Sequence, residues 1–157
     1  MLLAALAVAK IALGYSWFRV ESASMQRLIP EGSLIFAKRV NESEINTGDV
    51  IVYECKDKTT ITHRVTKVIE NHGGSEYRGF ETKGVENAGN DLFIVPSLKV
   101  IGKVVYFTPG MGNVLLAAQK IIPIILAVLI TLITAALLSR RSKNNSRVAP
   151  KPKVQTI

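Results

Sequence analysis

Residues 121–138 run for eighteen positions without a charged side chain, and no other stretch limits this chain's possible folds so strongly. The run reads Ile-Ile-Pro-Ile-Ile-Leu-Ala-Val-Leu-Ile-Thr-Leu-Ile-Thr-Ala-Ala-Leu-Leu. As a helix it measures about 27 Å, close to the thickness of a bilayer's hydrocarbon core. Its apolar side chains would surround every face, unlike the single stripe of a helix lying on a core. Arg140 and Arg141 follow almost at once, and the remainder of the chain is basic and free of acidic residues. The pattern predicts a transmembrane helix over 114–139 and a basic cytoplasmic tail over 140–157. Pro123 is expected in the first turn of the helix, where its missing N–H costs little.

The other end is apolar over 2–9 and 11–18, with Lys10 between the two runs. A lysine in mid-bilayer is costly unless it snorkels or finds a partner. A native start upstream of Met1 would account for it. The competing reading is a cleavable secretory signal with Ser22-Ala23-Ser24 as its small-residue cleavage site, but the usual basic segment before the apolar run is missing. A retained anchor over 1–20 is therefore expected. Together the two spans imply a multi-pass membrane protein with both termini cytoplasmic and residues 21–113 on the far side.

A formal net charge of +8 invites a nucleic-acid partner, so its distribution matters. From Glu21 to Lys103, eleven Lys and Arg stand against twelve Asp and Glu. The excess sits mainly in Arg140, Arg141, Lys143, Arg147, Lys151 and Lys153. A nucleic-acid-binding fold carries its positive patch on the folded surface, and here that part is nearly neutral. No nucleic-acid partner is expected. Cys55 is the single cysteine, so no intramolecular disulfide forms. With two histidines besides, a zinc site built on sulfur and imidazole lacks ligands.

Between the apolar ends the periodicity is two. Residues 33–40, 49–54, 59–69, 75–83 and 99–107 are rich in Val, Ile, Thr, Tyr and Phe and read as strands. Asn46-Thr47-Gly48-Asp49, His72-Gly73-Gly74 and Asn87-Ala88-Gly89-Asn90 read as turns between them. The expected fold is mainly β: a small antiparallel, barrel-like sheet flanked by N- and C-terminal transmembrane helices.

Alternation over 59–69 puts Ile61, His63, Val65, Lys67 and Ile69 on one face and Thr60, Thr62, Arg64, Thr66 and Val68 on the other. His63 thus falls on the more apolar face. A core histidine satisfied by one hydrogen bond and a catalytic base held by a partner have the same requirement, and periodicity does not choose between them. Ser24, just beyond the first apolar run, reads alone as a linker residue, since a serine hydroxyl needs a base to become a nucleophile. Asp91, after Gly89-Asn90, reads alone as a loop carboxylate. Cys55 beside a histidine would make a thiol hydrolase, but no orienting group stands at a recognisable spacing.

Taken together, five segments resemble a known family. Ser22-Ala23-Ser24-Met25 with the downstream Pro30-Glu31-Gly32-Ser33-Leu34-Ile35 resembles the Ser-Gly-Ser-Met box of type I signal peptidases. Gly48-Asp49-Val50-Ile51-Val52 resembles the strand that follows it, and Thr62-His63-Arg64-Val65 the His-Arg box of the endoplasmic-reticulum (ER) type branch. Thr82-Lys83-Gly84 and then Asp91 resemble the Lys-Gly-Asp-Asn-Asn…Asp segment, and Val100-Ile101-Gly102-Lys103-Val104 the closing strand. The likeness spans about residues 22–106.

The resemblance implies a serine endopeptidase without metal or cofactor that cuts signal peptides from exported preproteins. Ser24 would be the nucleophile, His63 the general base and Asp91 the group orienting the imidazole. The Ser24 N–H and the Ser22 hydroxyl would form the oxyanion site. Three positions depart from the family pattern: Val85 replaces the first aspartate of the Lys-Gly-Asp segment, Arg27 a proline, and Ala23 a glycine. These departures and the short basic tail point to a prokaryotic plasma membrane rather than the ER. Val85 also leaves an alternative of another class, a membrane-anchored assembly or binding factor with weakened catalysis.

Overall fold

The computed structural model describes residues 14–55, 57–74 and 76–145. The chain divides into two compact units, Met1–Leu115 and Leu116–Ile157. The expected span over residues 1–13 and the tail beyond 145 lie outside the described residues.

The first unit is a seven-stranded antiparallel sheet, bearing out the β-rich middle. Its strands are β1 (Tyr15–Arg19), β2 (Leu34–Lys38), β3 (Val50–Glu54), β4 (Thr60–Ile69), β5 (Gly79–Lys83), β6 (Val95–Pro96) and β7 (Val100–Thr108). They lie in the order β1-β2-β7-β3-β4-β5-β6. The central strand β3 reads Val-Ile-Val-Tyr because both of its faces are covered. Val52 joins a cluster with Val20, Met25, Ile29, Ile35 and Ala37. Its neighbours Ile51 and Tyr53 point the other way, into a second cluster with Ile45, Val65, Phe80 and Val95.

Two expected boundaries move. Tyr15–Arg19, assigned from sequence to the N-terminal span, is a strand paired with β2 from Tyr15↔Lys38 to Arg19↔Leu34. Aromatic side chains suit a strand as well as a membrane, and Gly14, with φ +67, breaks the chain before it. The strand expected over 75–83 begins only at Gly79, after a 3-10 turn at His72–Gly74 in which Gly73 and Gly74 take positive φ.

A bulge in the β4–β5 pairing, between Val65 and Lys67, changes which side chains share a face. Simple alternation groups Lys67 with His63. The extra residue instead turns Lys67 outward to Glu81, 3.7 Å away, and brings Val68 onto the second cluster.

The second unit continues α1, which runs Met111–Asn145. Its stretch Met111–Ser139 is long and apolar enough to cross a membrane, and none of its apolar window is buried within the chain. Thr131, Thr134 and Ser139 return their hydroxyls to carbonyls of their own helix, leaving none of these three without a partner. The helix begins three residues before the expected 114, because Pro109 and Gly110 (φ +71) end β7 and release the chain at Met111. Pro123 therefore lies inside the helix rather than in its first turn. Membrane helices tolerate such an interruption better than soluble ones.

Candidate active site

Ser24 is positioned by apolar packing on one side and hydrogen bonds on the other. It occupies the middle of a single 3-10 turn, Ala23–Met25. Met25 and Ile29 sink into the first cluster, and the N–H groups of Leu28 and Ile29 both donate to the Met25 carbonyl. Ser22 stands in the cap position with an extended backbone, yet its hydroxyl caps no N–H. It lies 3.1 Å from Ser24 Oγ instead.

The same turn is bonded to the loop after β5. The Glu86 N–H donates to the Ser24 carbonyl at 2.9 Å. The Arg27 backbone N–H and Nε donate to Glu86 Oε1 at 3.0 and 2.8 Å, and its Nη2 to the Val85 carbonyl at 3.2 Å. The Arg27 hydrogen bonds hold the Glu86 carboxyl below the usual glutamate range. Arg27, a departure from the family pattern, thus has a local use that a proline could not supply. Val85, the other main departure, packs its side chain against the first cluster.

His63 comes from β4 with 7% of its surface exposed. Its Nε2 lies 3.1 Å from Ser24 Oγ and its Nδ1 2.7 Å from Asp91 Oδ2. Ionised Asp91 only accepts, so Nδ1 carries the proton, Nε2 is the acceptor, and Ser24 donates to it. Asp91 sits on a loop but is held firmly: its N–H donates to the Thr82 carbonyl at 2.8 Å. Its Oδ2 also accepts from Tyr53 Oη at 3.0 Å and Thr82 Oγ1 at 2.5 Å. The three residues singled out from sequence, far apart in the chain, meet in one hydrogen-bonded row.

Gly84, at the end of β5, is what allows the close approach. A methyl group there would lie 2.9 Å from His63 Nε2, 2.9 Å from Ser24 Cβ and 2.8 Å from Asn87 Nδ2. Gly84→Ala is expected to force Ser24 and His63 apart and lower turnover by about a hundredfold, as displacements near 1 Å do. Rate measurements made beside the melting temperature check this. Loss of turnover with a nearly unchanged melting temperature is the expected result.

Beside this row lies an open groove of about 710 Å³, lined among others by Trp17, Arg19, Ser22, Met25, Thr60 and His63. β1 pairs with β2. β4 pairs with β3 over residues 60–64 but meets β5 only from Arg64 onward. Among the described residues, 60–63 therefore keep one edge free of a partner strand. Cys55 lies elsewhere, in a cavity of about 590 Å³ with Tyr53, Phe93, Ile94 and Lys99. Burial first, and Asp57 second, push its thiol up and away from the reactive thiolate.

Sequence reasoning missed Tyr53 as a partner of Asp91, and also the Arg27–Glu86 link. Thr82 and Gly84 stood in a segment already singled out, but nothing in the pattern said which atoms they would approach.

No protein-family model matches the chain. Among curated proteins it is similar to the "Signal peptidase complex catalytic subunit SEC11" of Saccharomyces cerevisiae, strains YJM789, RM11-1a and JAY291. Each is 32% identical over 104 residues, which make up 60% of this chain and 60% of the relative. The chain thus matches about 60% of the length of these curated relatives. This similarity bears out the resemblance read from the five sequence segments.

Proposed function

We propose that this chain is a membrane-bound serine endopeptidase that removes signal peptides from exported preproteins. The observation that carries the reading is the row Ser24 Oγ–His63 Nε2 and His63 Nδ1–Asp91 Oδ2, at 3.1 and 2.7 Å, opening on a groove.

In this reading Ser24 Oγ attacks the scissile carbonyl as His63 Nε2 takes its proton. His63 then returns that proton to the leaving amine, and Asp91 stabilises the imidazolium formed in between. Ser24 sits in the first turn of a helix, where backbone N–H groups have no intrahelical acceptor. Its N–H is therefore available to the developing oxyanion, and the Ser22 hydroxyl, one hydrogen bond from the attacking oxygen, is the second donor. An extended substrate would pair with the edge of β4 at residues 60–63, beside the groove. The helix Met111–Ser139 would keep the enzyme in the membrane that exported chains cross. The finer placement, a multi-pass protein of a prokaryotic plasma membrane with its β domain outside, belongs to the same proposal.

One observation favours a second reading, a catalytically weakened binding or assembly factor. Val85 brings an apolar side chain where the resembled family has a carboxylate. A cleavage assay separates the two. The full chain in membranes is expected to cut a preprotein after a small residue. It should fail when the residue before the cut is made bulky. Absence of any cut by the folded wild-type chain would leave the binding factor as the better account. Resistance of the chain to alkaline carbonate extraction is the expected sign of an integral protein.

A further inference from the structure

We propose that Tyr53 and Thr82 are positioning residues of the active site, together aiming the charged carboxylate of Asp91 at His63. The proposal rests on the protease reading and adds two residues that neither the motifs nor the similarity to the yeast proteins assigns.

Strand register sets the geometry. Tyr53 on β3 pairs with Ile61, and Thr82 on β5 pairs with Val65. Ile61 and Val65 flank His63 at two residues on either side along β4. All three side chains therefore share one face, with Tyr53 and Thr82 as the diagonal neighbours of the histidine. Both are fully buried. The Tyr53 ring meets the His63 ring edge-on with centroids 6.5 Å apart, and Phe93 packs edge-on against Tyr53 at 6.2 Å.

Counting protons completes it. Each hydroxyl has one hydrogen, and each lies within hydrogen-bond distance of Asp91 Oδ2, at 3.0 Å from Tyr53 and 2.5 Å from Thr82. The two hydroxyl oxygens are 3.3 Å apart. If one donated to the other, it would give up the carboxylate. With both protons sent to Asp91, and the Nδ1 proton of His63 added, one oxygen receives three donors. Such an arrangement suits a charged acceptor, because each donor bond to a carboxylate is stronger than one to a neutral oxygen. Burial raises the Tyr53 hydroxyl well above its ordinary range, so it stays a proton donor. An aspartate on a loop has torsional freedom that these donors remove.

The test compares Tyr53→Phe, Thr82→Val and Thr82→Ser in the full chain. The first two keep shape and delete a donor, and the third restores it. Two readouts are used: kcat and KM for preprotein cleavage, and the low-field proton resonance of His63 Nδ1–H, which needs no turnover. For Tyr53→Phe and Thr82→Val the expected result is an about tenfold fall in kcat with KM unchanged, the size of one lost bond to a charged group. The Nδ1–H resonance should also move upfield or broaden. Thr82→Ser should return both readouts toward wild type. Unchanged kcat and resonance in Tyr53→Phe, or a Thr82→Ser variant no better than Thr82→Val, would overturn the proposal. If wild type cuts nothing, the protease reading fails, while the resonance still decides whether these hydroxyls orient Asp91 toward His63.

Discussion

Ser24→Ala is expected to lower preprotein cleavage by a factor on the order of 10⁴ to 10⁶, the range seen when a serine nucleophile is deleted. The fold should survive the change. Ser24 gives its side chain only to His63 and Ser22, while its carbonyl keeps the Glu86 N–H whatever the side chain. His63 Nε2 loses a donor but faces an open groove, where water can replace the hydroxyl. An unchanged melting temperature with no cleavage of a preprotein in membranes is the pattern that supports Ser24. Cleavage at the wild-type rate would remove the proposed mechanism. The bulge in β4 matters here too. Lys67, which simple alternation would group with His63, is turned outward to Glu81 and so does not compete as a base for Ser24.

The second large effect belongs to Asp91, and the two substitutions there should differ. Asp91→Ala leaves Tyr53, Thr82 and His63 Nδ1–H without their shared acceptor. The imidazole is then free to take the wrong tautomer or rotate, and a fall of about 10⁴ is expected. Asp91→Asn is a milder case for a structural reason. Two hydroxyl donors converge on the position of Oδ2, so the amide should place its oxygen there and turn its NH₂ away. That oxygen still accepts from Nδ1–H, the tautomer is kept, and only the charge facing the imidazolium is lost. A fall of about a hundredfold is expected, corresponding to the difference between a charged and a neutral acceptor. If Asp91→Asn proves as damaging as Asp91→Ala, the amide has turned its NH₂ to the histidine and the three-donor geometry is wrong. Rates for both variants, measured beside Ser24→Ala to set the background, decide it.

Much of the β unit was legible because alternation and turn chemistry are local. β2, β3, β4 and β7 fall within about two residues of their expected limits, since Gly- or Pro-bearing turns bound most of their ends, the turn at 55–59 between β3 and β4 excepted. Where the reading failed, two physical demands gave the same pattern. Tyr-Ser-Trp-Phe at residues 15–18 suits a membrane as well as an edge strand, and only the partner β2 shows that it was taken as a strand. The turn of Lys67 away from His63 was not legible at all. A bulge is an extra residue accommodated between two strands, and the sequence of one strand does not reveal it.

By itself, the sequence determined the elements and the cast: an apolar helix, a run of β strands, and Ser24, His63 and Asp91 as residues worth watching. The elements follow from periodicity along the chain, and the three residues from the resemblance of their segments to a known family. The tertiary structure decided what those residues touch. It brought Ser24 within 3.1 Å of His63, let Gly84 make room for the contact, and supplied Tyr53 and Thr82 as donors to Asp91. The hydrogen bonds among these residues join positions between 9 and 39 apart, and Gly84 lies further still from Ser24 in the chain. They depend on strand register and on a backbone passing close behind a side chain. Neither quantity is written in any one segment, so only the folded sheet could set them.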